Sequence, residues 1–137
     1  MLIDEGLEML TEEQCRELLA VGLLGRVGVT IHGLPVIMPV NYALVDDDIV
    51  FRTSEGTKLQ AATQRAVIAF EVDTHDAATQ TGWSVLVIGR SSTVEDEGER
   101  AMLDAHAITP WAGGERSGYV RLHPELITGR RIVPSLP

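Results

Sequence analysis

The order of apolar and polar positions divides the chain into a helical opening and a long series of strands. Thr11-Glu-Glu-Gln14 spells a capping box, with Leu10 and Cys15 placed as its hydrophobic staple. Cys15, Leu18, Leu19, Gly22 and Leu23 then fall on one helical face, and Gly25 is the expected stop. From Arg26 the period changes to two. Val27, Val29 and Ile31 alternate with Gly28, Thr30 and His32, and Gly33-Leu-Pro35 reads as a turn. The same pattern predicts strands over 36–45, 49–53, 66–73, 83–94, 118–122 and 126–133, with Asp46-Asp-Asp48 as a tight acidic turn. Helical patterns over 57–64 and 97–107 interrupt the series, the second offering Met102, Leu103 and Ala105 or His106 for burial. Residues 75–82 read as a polar loop, and Pro110-Trp-Ala-Gly-Gly114 as another. Short strands joined by hairpins, with helices early, midway and late, predict a mainly β fold: an antiparallel barrel decorated by helices. No repeat, linker or low-complexity tract interrupts it. Residues 1–137 therefore read as one domain, with 1–25 a helical segment packed on the barrel.

Composition narrows the function classes. A chain of 137 residues is large enough for its own core, and 45% hydrophobic with 23% charged residues is ordinary for a globular protein. The net charge of −9 argues against non-specific binding to nucleic acid or to an anionic membrane surface. A local cluster of cations can still oppose that field. The single cysteine, Cys15, cannot form an internal disulfide, which fits a reducing cytosol. The first residues lack the basic and apolar regions of a signal peptide, and no apolar run approaches the roughly 18 residues of a membrane span. The expectation is a soluble, cytoplasmic protein.

The chemistry concentrates in Phe51-Arg-Thr-Ser-Glu-Gly-Thr-Lys-Leu59. A strand end, a glycine turn and a helix start bring backbone N–H groups to one region. Hydroxyls of Thr53, Ser54 and Thr57 and the cations Arg52 and Lys58 stand beside them, a set suited to a phosphate monoester. Lys58 is the only lysine, against ten arginines, so a compact point charge is used here in place of a planar fork. A strand end capped by Thr and Ser with a solvated lysine is the competing reading, and the stretch alone leaves both open. The spacing is not that of a Walker A loop.

The order of these parts resembles the pyridoxamine 5′-phosphate oxidase-like family of flavin-binding split β-barrels. The likeness rests on Gly25-Arg-Val-Gly28, Pro35-x-x-x-Pro39-Val-Asn-Tyr42, Phe51-Arg-Thr-Ser-x-Gly-Thr-Lys58, Ala69-Phe-Glu-Val-Asp73 and Gly82-Trp-Ser-Val-Leu-Val-x-Gly-Arg90. It covers nearly the whole chain. It implies an antiparallel split barrel of six to seven strands with N-terminal and peripheral helices. It also implies an FMN site, or F420 in some branches, at a homodimer interface. Arg52 and Lys58 match the family's phosphate-binding positions, with Thr53, Ser54 and Thr57 beside them. Pro39, Val40 and Asn41 match the strand that lies along the isoalloxazine. Trp83 and Ser84 match a segment that reaches the flavin held mainly by the other subunit. In the true oxidase an Arg-x-His motif in a C-terminal extension holds the vitamin phosphate. Here Arg121-Leu-His123 precedes Pro124 to Gly129, so that role is not transferred, and this chain is not expected to oxidise pyridoxamine phosphate.

Other constellations read as structural. The four histidines, at 32, 75, 106 and 123, show no metal-ligand spacing, so no metal is expected. Glu71 and Asp73 share one strand face, where arginine partners across the sheet are a more economical account than an acid–base pair. His75 reads as a solvated loop residue and Cys15 as a core residue. Trp111 reads as packing on the barrel, and Arg130 and Arg131 as solvated or ion-paired. No G-x-S-x-G elbow supports a hydrolase. The sequence therefore points to a flavin-dependent oxidoreductase with a small-molecule electron donor and acceptor and no catalytic side chain identified. Its alternatives are a non-enzymatic flavin-binding or sensing protein, or a split barrel that takes F420 or haem. FMN is preferred, because F420's longer polyanionic tail calls for more basic residues than this acidic chain offers.

Overall fold

A computed structural model of the protein describes residues 2–4, 6–54, 56–110 and 117–133. In chain order these form β1 (Leu2–Asp4), β2 (Leu7–Met9), α1 (Glu12–Val21), β3 (Leu24–Ile31), β4 (Leu34–Val45), β5 (Asp48–Ser54), α2 (Lys58–Ala62), β6 (Ala66–Asp76), β7 (Thr81–Val94), α3 (Glu97–Asp104) and β8 (Ser117–Ile132). Hydrogen-bonded neighbours run β1-β2-β8-β5-β4-β3-β6-β7, and β7 also pairs with β8. Strands β3 to β8 thus close into a six-membered antiparallel ring, the expected split barrel, with β2 and β1 added outside β8.

The alternation seen in the sequence fills this ring. Val27, Val29, Val40, Tyr42, Ile49, Phe51, Phe70, Val85, Val87 and Leu122 point inward as one core, with Tyr42 edge-on to Phe70 at 4.8 Å between ring centroids. A second apolar cluster lies outside the barrel, where Leu103 of α3 and Ile108 pack on Val45, Val50, Val94 and Tyr119. Helix α1 closes one end. Both bonds of its capping box are made, Gln14 N to Thr11 Oγ1 at 3.1 Å and Thr11 N to Gln14 Oε1 at 2.8 Å. Tyr42 donates to Leu19 O at 2.6 Å, which ties the far end of the helix to the core, and burial pushes the Tyr42 hydroxyl up to about 12. Cys15 is fully buried, and burial followed by the charge of Glu12 raises its thiol, as suits a packing residue. Among the described residues no helix is long and apolar enough to cross a membrane.

Several boundaries differ from the sequence pattern. Helix α1 ends at the cap Gly22, and Leu23 is exposed; its place on the helical stripe is coincidental. Gly25 lies in β3, where a Cβ would stand 2.3 Å from Phe70 Cζ, so glycine is required by close packing and not by a helix stop. The first 25 residues hold β1 and β2 as well as a helix; three-residue strands that depend on the edge of β8 leave no periodicity to read. The two strands expected over 118–122 and 126–133 are one strand, β8. Pro124 falls at its irregularity, where Gly89 opposes Pro124 and Ile88 opposes Leu126. The loop expected over 75–82 shrinks to a turn over 77–80. In α3 only Leu103 is buried, while Met102, Ala105 and His106 are exposed. Trp111 and the rest of its Trp-Ala-Gly-Gly loop lie outside the described residues.

Candidate functional site

The site follows from where two strands stop pairing. β4 and β5 are hydrogen-bonded only from Tyr42/Phe51 to Val45/Asp48. Beyond that point β4 stays with β3, and β5 is held by β8 through Arg52/Tyr119, Thr53/Gly118 and Ser54/Ser117. A cavity of about 710 Å³ occupies the resulting gap. It is lined by Met38, Pro39 and Val40 from one side, by Arg52, Thr53 and Ser54 from the other, and by Gly56, Thr57, Lys58, Leu59 and Pro110. The predicted residues Pro39, Val40, Arg52, Thr53, Ser54, Thr57 and Lys58 therefore meet in one place. Met38, Leu59 and Pro110 were not anticipated, and they supply much of the apolar wall.

The polar groups at this cavity divide into engaged and available ones. Gly56 takes a positive φ of 76° at the turn into α2, and its N–H donates to Gln60 Oε1 at 2.7 Å. The Thr57 hydroxyl caps α2, accepting from Gln60 N at 3.1 Å and donating to Ser54 O at 2.7 Å. These groups build the turn and are not spare donors. The Lys58 side chain is exposed and makes no hydrogen bond or ion pair among the described residues. Arg52 donates through Nη1 to Ile108 O at 3.0 Å, and its guanidinium carbon sits 5.0 Å from the Tyr119 ring centroid. Thr53 is only 4% exposed, and its hydroxyl is buried with no hydrogen-bond partner among the described residues. An orphaned buried hydroxyl costs about 1–3 kcal/mol, so a partner at this wall is expected. Apolar walls, two cations and an orphaned hydroxyl fit an apolar body with an anionic end. No carboxylate, histidine or cysteine is among the described lining residues.

Three predicted residues stand elsewhere within the single chain. Asn41 donates to Thr109 O at 2.9 Å and braces the segment that leads to Pro110, without lining the cavity. Trp83 and Ser84 lie on β7 opposite Thr74 and Asp73, and border two smaller grooves with His75, Arg130 and Arg131.

A family profile described as pyridoxamine 5′-phosphate oxidase matches residues 11–131. The chain belongs to this family. An uncharacterized Mycobacterium tuberculosis protein, Rv0080, is 35% identical over 129 residues, covering 90% of this chain and 84% of that relative. The FAD binding protein from Mycobacterium smegmatis is 37% identical with a TM-score of 0.77, covering 91% of this chain and 99% of that one. A Corynebacterium glutamicum protein assigned provisionally to pyridoxamine 5′-phosphate oxidase is 29% identical with a TM-score of 0.80, covering 98% and 99% of the two chains.

Within this oxidase family, residues that look functional by spelling are engaged structurally here. Arg121 donates to Glu99 Oε1 at 3.0 Å and to Asp48 Oδ2 at 3.1 Å, and His123 Nδ1 lies 2.7 Å from Asp48 Oδ1. The Arg121-Leu-His123 triplet thus ties α3 and the β4–β5 turn to β8, away from the cavity. Arg26 Nη1 reaches Asp73 Oδ2 at 3.0 Å and Glu71 Oε1 at 3.4 Å, the cross-sheet arginine expected for that pair. Burial, then the hydrogen bond and negative charge of Asp73, push Glu71 up to about 7 against the opposing pull of Arg26. His75 is exposed. No group of three or more metal-ligating side chains occurs among the described residues.

Proposed function

We propose that this protein binds a flavin in the gap between β4 and β5 and serves as a flavin-dependent oxidoreductase. The observation that carries the reading is the cavity itself. Its apolar walls end at Arg52, Lys58 and the orphaned Thr53 hydroxyl, as a ring system with a phosphate tail requires. FMN meets each of these features. The similar M. smegmatis protein binds FAD, which shares the riboflavin 5′-phosphate half that this cavity would hold. Bound flavin would supply the hydride and electron chemistry. The chain's own part is narrower. Met38, Pro39 and Val40 present an apolar wall to the ring, Lys58 and Arg52 neutralise the phosphate, and Thr53 donates or accepts one buried hydrogen bond.

The working unit we propose is a homodimer in the cytoplasm. Cross-strand register lines up Ile37, Gly28, Ala69, Ile88 and Leu126 across β4, β3, β6, β7 and β8. They alternate with inward Val27, Val29, Phe70 and Val87, so they face outward as an uncharged row. The other outer face is covered by α3, whereas on this one Ile37 and Leu126 are exposed among the described residues. Pro39 lies two residues from Ile37 and lines the cavity, so a second copy seated on the row would approach the flavin.

Absorption spectroscopy tests the function directly. After incubation with FMN, FAD, riboflavin or F420 and removal of free ligand, FMN or FAD should remain at about one per chain, with riboflavin weaker. A protein that stays colourless with every flavin would sink the reading. NAD(P)H-driven reduction of the retained flavin, followed by transfer to an acceptor, separates an oxidoreductase from a passive carrier.

A further inference from the structure

The cavity has a second layer that the family likeness does not explain. Arg52 and Tyr119 are directly opposed across β5 and β8, and both point to the outer side, where α3 packs. The guanidinium carbon stands 5.0 Å from the Tyr119 ring centroid, a cation–π distance. Tyr119 is only 3% exposed, so the ring cannot swing away, and its hydroxyl donates to Asp104 Oδ1 at 2.5 Å. Asp104 is the last residue of α3. A carboxylate there opposes the helix dipole, and no basic residue occupies that last turn. A hydrogen bond to Tyr119 gives that unfavourable acid a purpose. The chain then turns at Ala107, which adopts a left-handed φ of 53°, and Ile108 offers its carbonyl to Arg52 Nη1 at 3.0 Å. One loop of contacts therefore runs from Arg52 to Tyr119, Asp104 and Ile108, and back to Arg52.

We propose that Tyr119 and Asp104 are positioning residues that hold the Arg52 guanidinium at the cavity edge, where it receives the anionic end of the ligand. The inference rests on the flavin-phosphate reading above. A long arginine side chain free in solvent gives up rotamer entropy when it clamps an anion. Stacked on a buried ring and tied to a fixed carbonyl, Arg52 has already lost that freedom. Burial, and then the hydrogen bond to Asp104, raise the Tyr119 hydroxyl, so it remains a neutral donor at physiological pH.

Dissociation constants for FMN and riboflavin, which differ only in the phosphate, separate positioning from mere structure. Wild-type protein should prefer FMN. Tyr119→Leu removes both ring and hydroxyl and should weaken FMN about tenfold while leaving riboflavin within about twofold. Tyr119→Phe and Asp104→Asn keep the ring under Arg52 and should each reduce the FMN preference by about threefold. These two conservative variants decide the matter if Tyr119→Leu fails to fold. FMN and riboflavin weakening together, or an unchanged preference in all folded variants, would overturn the positioning role while the flavin reading stands. A wild-type protein that binds both ligands equally would overturn the phosphate reading and this inference with it.

Discussion

At the scale of single residues, the site is defined by which polar groups are spent and which are not. Thr57 looks by its position like a phosphate ligand, yet its hydroxyl is committed at both ends to the α2 turn. Thr53, one step inside the strand, has a buried hydroxyl with no partner among the described residues. Thr53→Val keeps the shape and removes that hydroxyl. It should leave the melting temperature of ligand-free protein unchanged or higher, and weaken flavin by about 1 kcal/mol, the net value of one hydrogen bond. A lowered melting temperature would show that the hydroxyl already has a partner. Lys58→Ala should cost FMN about 1.5–3 kcal/mol, the scale of a charged hydrogen bond, and riboflavin nothing, as read by fluorescence titration. Glu71 makes a prediction in pH. Its folded value of about 7 lies above the usual 4.5, so folding takes up a proton between the two. The stability it contributes is complete below about 4.5 and is lost as pH rises through about 7. Glu71→Gln removes the titration. The melting temperature of wild type minus that of the variant should fall across this window, and a flat difference would refute the assignment.

At the scale of elements, the barrel strands were legible because each carries its own alternation, while the partners of those strands were not. Val27, Val29 and Phe70 announce inward positions by spacing alone, and the capping box announces the start of α1. The early stop at Gly22 and the placing of Gly25 in β3 depend on Tyr42 and Phe70, which approach from other strands. The same holds at the site. Arg52, Thr53 and Lys58 are neighbours in sequence and were readable together. Pro110 lines the cavity and the Asp104–Tyr119 pair stands behind Arg52 through the packing of α3 and the segment after it, which no local pattern encodes. The seating of α1 is testable on these terms. A Cβ at Gly129 would lie 2.5 Å from Cys15 Sγ and 3.1 Å from Ser84 O, with little room to yield. Gly129→Ala should therefore cost about 1–3 kcal/mol in chemical denaturation, as overpacking does. A cost below about 0.5 kcal/mol would mean that α1 is not held firmly against β8.

At the scale of the whole molecule, the barrel has two outer faces with different fates. One carries α3 and a second apolar cluster. The other carries the row from Ile37 to Leu126, flanked by the Arg26, Glu71 and Asp73 group. Ile37 is 73% exposed and Leu126 50% exposed in a single chain. A stable dimer buries roughly 800 Å² from each partner, about a tenth of this chain's 8500 Å². An apolar centre with an ionic rim is the usual anatomy of such a surface. Trp83 and Ser84, which do not line the cavity of their own chain, would then have a role toward the cavity of the second copy. Ile37→Glu tests this without disturbing the core, because an exposed position tolerates charge to within about 0.5 kcal/mol of folding stability. Light scattering should find the wild type dimeric and the variant monomeric at micromolar concentration, with similar melting curves. Flavin affinity should fall in the monomer, since the contacts proposed from the second chain would be lost. A variant that remains dimeric would exclude this row as the interface. A monomer that holds flavin as tightly as wild type would show that each chain builds its site alone, and Trp83 and Ser84 would lose their proposed part in it.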